Sequence, residues 1–117
     1  MTAAELTTAV QEGANVKVAI MNNNFLGMVR QWQEFFFEKR YSAVNMVTPD
    51  FVKLAEAHGV PAKRVTKREE VDKAIQWARK TKGPVVLEFR VEQEDAVYPM
   101  VPAGAALDQM IQRPVKQ

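Results

Sequence analysis

Apolar residues fall in short blocks along this chain, some at helical spacing and some unbroken, and the alternation predicts a layered α/β fold. Leu6, Ala9 and Val10 give an opening helix its apolar face, with Thr2-x-x-Glu5 as a capping box and Gly13 as the C′ residue. The run 16–21, apolar but for Lys17, reads as a buried strand. Phe25, Met28, Val29, Trp32, Phe35 and Phe36 then recur at helical spacing, with Arg30, Gln31, Gln33, Glu34 and Glu38 opposite or beside them. Lys39-Arg40 suits the C-terminal end of that helix dipole, and 41–47, without a period, reads as an irregular loop. Thr48-Pro49-Asp50 predicts a helix start with Pro in the first helical position and Asp in the first turn. Phe51, Leu54, Ala55 and His58 share that helix's face, and Gly59 ends it. A short strand is predicted over 60–65, followed by a second capping box, Thr66-x-x-Glu69. Val71, Ala74, Ile75 and Ala78 line the helix that follows, which stops by Gly83, and 84–91 is the clearest strand. The order helix, strand, helix, helix, strand, helix, strand predicts a parallel sheet with flanking helices.

The first helix has no strand ahead of it, although a helix of a parallel α/β layer is the crossover between two strands. The start of the chain therefore reads either as a domain that opens this way or as a fragment cut just after a strand and its loop. With 117 residues and 47% hydrophobic content, the chain holds one domain with a core. The net charge of +2 comes from 16 basic and 14 acidic residues that are interleaved, which gives no footprint for nucleic acid. Without cysteine, disulfides, thiolate metal sites and cysteine nucleophiles are excluded. No apolar run approaches the roughly 18 residues of a membrane span, and the N-terminus lacks the pattern of a signal peptide, so the expected location is cytoplasmic.

Candidate chemistry concentrates at the end of the first strand, where Met21 runs into Asn22-Asn23-Asn24 and then into Phe25-Leu26-Gly27. Strand ends that open into polar loops are where parallel sheets place ligands. An asparagine amide oxygen is a neutral, hard ligand of the kind Mg²⁺ accepts beside carboxylates and phosphates. Taken alone, the cluster also reads as a plain turn.

The residues 22–34, Asn-Asn-Asn-Phe-Leu-Gly-Met-Val-Arg-Gln-Trp-Gln-Glu, resemble the end of the thiamine-diphosphate motif of acetolactate synthase (acetohydroxyacid synthase) catalytic subunits. The tail Val97-Tyr98-Pro99-Met100-Val101-Pro102-Ala103-Gly104 resembles that family's C-terminal signature, so the likeness covers essentially the whole chain. It implies that 1–96 is the C-terminal part of the thiamine-diphosphate-binding domain and that 97–117 is a tail folding toward the active site. It also implies that Asn23 ligates Mg²⁺ through its side chain and Phe25 through its backbone carbonyl. Leu26, Gly27 and Met28 are expected at the thiamine diphosphate, with Gly27 letting the backbone pass close to it. Trp32 and Ala103 are expected along the substrate channel. The Gly-Asp-Gly that opens the motif is absent, and the glutamate that activates the cofactor belongs to a different domain of a neighbouring subunit. No catalytic residue is therefore expected in this chain, which alone should be inactive. The parent activity joins pyruvate to a second 2-oxo acid, pyruvate or 2-oxobutyrate, after decarboxylation. It yields 2-acetolactate or 2-aceto-2-hydroxybutyrate for branched-chain amino acids. The family likeness further implies FAD, a homo-oligomer and a regulatory small subunit.

Other readings stay open at the level of residues. Trp32 with Phe35 and Phe36 reads equally as a packing stripe, and three successive phenylalanines cannot share one helix face, so one ring should meet a loop or another chain. His58, the sole histidine, reads as a packing or helix-end residue rather than a catalyst. Asn22 and Asn24 read as turn formers, and the charged runs 67–70 and 92–95 as solvated surface. A fragment of another thiamine-diphosphate carboligase or pyruvate oxidase, and a non-catalytic interaction module, are the alternatives for the whole chain.

Overall fold

The computed structural model describes residues 2–114. Helix α1 spans Glu5–Gln11 and leads into β1, Lys17–Asn22; α2 spans Gly27–Phe36 and α3 Phe51–Ala57. Strand β2, Ala62–Val65, is followed by α4, Val71–Lys80, and by β3, Val85–Arg90. The sheet is parallel throughout in the order β1-β3-β2, which bears out the expected architecture.

β3 lies between the other two strands, so its residues 85–88 are buried and it sorts the core into two layers. Val85 and Leu87 pack with Val65, Ala74 and Ala78 under α4. Val86 faces the other way, onto Ala55 and Val60, with Leu6, Val18 and Ile20 closing the layer beneath α1 and α3. His58 at the end of α3 shares a 2.8 Å hydrogen bond with Thr7 of α1, in keeping with a packing role. Gly59 follows at φ 75°, and the N–H groups of Gly59 and Val60 return to the carbonyls of Glu56 and Ala55. That double closure needs the left-handed conformation that glycine adopts without penalty, and Gly13 ends α1 by the same pattern.

Several helix starts differ from expectation. Thr2 does not cap α1 through its side chain; a turn held by the carbonyls of Thr2, Ala3 and Ala4 precedes the helix. Asp50 is the N-cap of α3 rather than a first-turn residue, and its carboxylate accepts from Val52 and Lys53. Pro49 consequently lies before the helix. Before α4 the reach-back residue is Glu70, not Glu69: its carboxylate accepts from the Thr66 and Lys67 N–H groups across a short 3₁₀ turn. In each case a carboxylate or carbonyl one or two residues away has the better line to the free N–H groups.

The larger departure is α2. Arg30 and Gln31, expected on the polar face, are its buried residues, whereas Met28, Val29, Trp32 and Phe36 are exposed. The tail explains the inversion. Gln31 accepts from the Val97 N–H at 2.8 Å and donates to the Val97 carbonyl at 3.1 Å, completing both hydrogen bonds of one extended residue. Arg30 is enclosed by Glu34, the rings of Phe25 and Tyr41, and the Asp95 carbonyl. Phe35 meets Tyr98 of the tail with centroids 5.4 Å apart, the ring-to-loop contact expected of the phenylalanine triplet.

Candidate metal and cofactor loop

The loop 22–26 leaves the carboxyl end of β1 and is shaped by two consecutive Asx turns. Asn22 Oδ1 accepts from the Asn24 N–H at 3.0 Å, and Asn23 Oδ1 accepts from the Phe25 N–H at 3.0 Å. Asn24 takes φ 57°, a left-handed conformation that asparagine tolerates better than most residues. The far side of the loop is tied to the irregular segment after α2: Leu26 N–H donates to the Val44 carbonyl and Met46 N–H to the Asn24 carbonyl. Phe25 pairs with Asn45 as an isolated antiparallel bridge.

Gly27, the first residue of α2, has a steric role here. A Cβ on it would lie 3.3 Å from Asn23 Nδ2, tighter than ordinary van der Waals contact. The asparagine amide therefore occupies the space that a side chain at position 27 would take. Asn23, Phe25 and Leu26 line a common cavity of about 200 Å³ with Met46, Thr48 and Phe51. Met28 (63% exposed), Trp32 and Ala103 lie outside that lining on exposed surface, with the Trp32 ring tilted against Phe36 at a centroid distance of 5.0 Å. A larger cavity, about 880 Å³, opens on the α4 side of the sheet and is lined by none of the seven candidate site residues.

Behind the loop lies a charge network that the sequence reading did not pick out. Glu88 is wholly buried at the carboxyl end of β3. Its Oε1 accepts from Asn22 Nδ2 at 2.7 Å and faces Arg90 Nε at 3.1 Å, while Oε2 accepts from Arg64 Nε at 2.6 Å. Arg64 continues to Asp50 at 2.7 Å, and Arg90 to Asn24 Oδ1 at 2.9 Å. Burial works against the charge on Glu88, but the Asn22 hydrogen bond and the two guanidinium groups outweigh it and hold the carboxyl below the usual range. Asp50 is also lowered, chiefly by the Lys53 N–H, and Arg64 is raised chiefly by its hydrogen bond to Glu88. The signal was present in the sequence: Glu88 and Arg90 share the parity of Val86, whose face is core, so a charge there demanded a partner.

As a donor set the loop offers two neutral oxygens. Asn23 Oδ1 uses one lone pair on Phe25 and keeps the other, and the Phe25 carbonyl stands two residues away. Among the described residues no group of three or more His, Cys, Asp or Glu side chains is placed to hold a metal ion. The residues present fit part of a Mg²⁺ coordination shell, with carboxylate and phosphate oxygens to come from elsewhere.

Residues 1–89 match the family described as thiamine pyrophosphate enzyme, C-terminal TPP binding domain. The chain is 50% identical over 111 residues to the mitochondrial acetolactate synthase catalytic subunit of Saccharomyces cerevisiae, covering 95% of this chain and 16% of that protein. It is 51% identical over 112 residues to the acetolactate synthase large subunit of Corynebacterium glutamicum, covering 91% and 18%. Among solved structures, a thiamine diphosphate-dependent 4-hydroxybenzoylformate decarboxylase of Rhodococcus jostii RHA1 superposes with a TM-score of 0.70 at 26% identity, covering 80% of this chain and 18% of that one. The chain thus spans less than a fifth of the length of these proteins, and the resemblance read from its motifs is borne out.

Proposed function

Given that the chain belongs to the thiamine pyrophosphate enzymes, as a C-terminal TPP-binding domain, we propose that it supplies the metal-loop half of an acetolactate synthase active site. The observation that carries this reading is the Asx turn at the carboxyl end of β1, in which Asn23 Oδ1 accepts the Phe25 N–H at 3.0 Å and Gly27 leaves room for the Asn23 amide. In this reading Asn23 Oδ1 and the Phe25 carbonyl would hold Mg²⁺, which would supply positive charge for the diphosphate. Two neutral ligands leave the ion most of its charge for the phosphate oxygens. When bound, thiamine diphosphate supplies the carbanion chemistry that decarboxylates pyruvate and joins the remaining acetyl unit to a second 2-oxo acid. Leu26 and Met28 would form an apolar wall along the cofactor, and Gly27 would let the backbone pass close to it. Trp32 and Ala103 border the substrate channel, and the tail 97–117 closes toward it; residues 115–117 lie outside the described structure.

The acetolactate synthase assignment is preferred over another thiamine-diphosphate enzyme because identity stands near 50% to the synthases and at 26% to the decarboxylase. Pyruvate and 2-oxobutyrate as substrates, FAD elsewhere in the complete enzyme, a homo-oligomer and a regulatory small subunit belong to the same proposal. No helix among the described residues is long and apolar enough to cross a membrane. A cytoplasmic site of action belongs to the proposal as well, although the Saccharomyces cerevisiae relative carries a mitochondrial name.

The test is Asn23→Ala in a complete catalytic subunit containing this segment. Loss of one metal ligand should abolish retention of thiamine diphosphate, measured as cofactor remaining after gel filtration in Mg²⁺. Undiminished retention would reject the metal role and favour an interaction module, in which the asparagines are a plain turn.

A further inference from the structure

We propose that Glu88 is a positioning residue for the metal loop, acting through Asn22 and Arg90 on the backbone that presents Asn23 and Phe25. The inference rests on the reading of those two residues as metal ligands. One carboxylate oxygen does most of the work. Glu88 Oε1 receives Asn22 Nδ2 at 2.7 Å and Arg90 Nε at 3.1 Å, and both partners continue into the loop. Asn22 passes the constraint on through Oδ1, which accepts the Asn24 N–H at 3.0 Å; Arg90 Nη1 reaches Asn24 Oδ1 at 2.9 Å. Asn24 is therefore gripped at its backbone and its side chain, in the left-handed conformation that turns the chain between the two ligand residues.

The carboxylate also fixes which way Asn22 points. A carboxylate accepts and does not donate, so the Asn22 amine must face Glu88 and its carbonyl oxygen must face Asn24. A neutral glutamine at position 88 can present either end of its amide, so that directional constraint is lost. Arg64, bonded to Oε2 at 2.6 Å and anchored by Asp50, holds the other end of the carboxylate on the edge strand. Glu88 itself sits on the central strand, paired on both sides, and ties the asparagine loop to it. This is the arrangement by which groups behind a metal ligand orient it without touching the ion.

The first experiment uses the 117-residue chain and needs no metal. Backbone hydrogen exchange at Asn24 and Phe25 is compared between the native chain and Glu88→Gln, with Val60 and Val86 as core references. Exchange at the two loop amides should rise about tenfold, the weight of one hydrogen bond, with the references unchanged. Unchanged loop exchange in a folded variant would overturn the proposal. Should Glu88→Gln not fold, Asn22→Ala, which leaves Glu88 with both arginines, is read at Phe25 alone, because it removes the acceptor of the Asn24 N–H directly; unchanged exchange at Phe25 would overturn the proposal.

The second experiment places the chain in a complete enzyme, exchanged for the matching segment of the Saccharomyces cerevisiae catalytic subunit. The affinity for Mn²⁺ in the presence of thiamine diphosphate is measured by titration. Glu88→Gln should weaken it by about 10- to 100-fold, the usual effect of removing a group that orients a ligand. Because the ligands themselves remain, kcat at saturating metal should stay near the native value. A merely structural role would lower active enzyme without moving the metal titration. Adding Glu88→Gln to Asn22→Ala should cost little more than either alone, since both cut the same relay. Asn23→Ala separates the two levels of the argument. If it leaves Mn²⁺ affinity unchanged, the metal reading fails; if it weakens affinity and Glu88→Gln does not, only the positioning role fails.

Discussion

At the scale of single residues, Glu88 is a wholly buried carboxylate held by Asn22, Arg64 and Arg90. Its folded pKa lies below the unfolded value of about 4.3, so below that pH the unfolded chain binds more protons than the folded one. Its contribution to stability is thus complete above that value and is lost as pH falls through the lower folded pKa. Asp50, lowered as well, acts in the same direction. Urea unfolding at pH 6, 4 and 3 should show a steep loss for the native chain and a shallower one for Glu88→Gln, and equal slopes would contradict the network. Gly27 sets up an opposition of a different kind. Gly27→Ala gains up to about 1 kcal/mol of helix propensity in α2. The same Cβ lies 3.3 Å from Asn23 Nδ2, so the amide must shift by a few tenths of an ångström. The variant should keep or raise its Tm while the Asn23 side-chain amide resonances move; unmoved resonances would show that the loop has slack.

At the scale of elements, α2 is where pattern and packing disagree most. Its aromatic stripe predicted a buried face, yet the buried contacts belong to Arg30 and Gln31 because the tail lies against them. Gln31 serves two backbone groups of Val97 that no helix or strand provides for. Gln31→Ala leaves both to find water, and with about 1–3 kcal/mol at stake for the unpaired groups, the tail should loosen before the sheet does. Limited proteolysis should then cut within 95–114 many times faster than in the native chain, with the protection of β1 and β3 unchanged. If cleavage rates match, the tail is held chiefly by Phe35 with Tyr98 and by Arg113 with Asp95. The helix starts teach a smaller lesson of the same type. Glu70 and Asp50 were both within the right turn, and only the backbone path decided which N–H groups each could reach.

At the scale of the molecule, the radius of gyration is 18.1 Å, against about 13 Å for a compact chain of this length. The excess reflects an elongated shape of 50 × 29 × 24 Å, and much apolar surface is left uncovered: β1 is an edge strand with Met21 65% exposed, and α2 turns Met28, Trp32 and Phe36 outward. Apolar surface of this extent associates in water. Sedimentation of the isolated chain at about 10 µM and above should show self-association, and Trp32→Ser with Phe36→Ser should shift it toward monomer. A native chain that sediments as a single monomeric species would mean that these rings find enough cover within the chain itself.

Periodicity, turn residues and composition were enough to define the parallel α/β layers, the two glycine-terminated helices and the strand-end asparagine loop. These depend on local conformational preference and on side-chain alternation, which the order of residues carries directly. The motif at 22–34 likewise carried the family, because its residues are adjacent in the chain. Tertiary structure alone decided which face of α2 is buried, which acidic residue closes each helix start, and that Glu88 stands behind Asn22. Each of those outcomes joins residues far apart in sequence, Gln31 with Val97 or Asn22 with Glu88, and a buried polar group takes whichever partner the fold brings within hydrogen-bond reach.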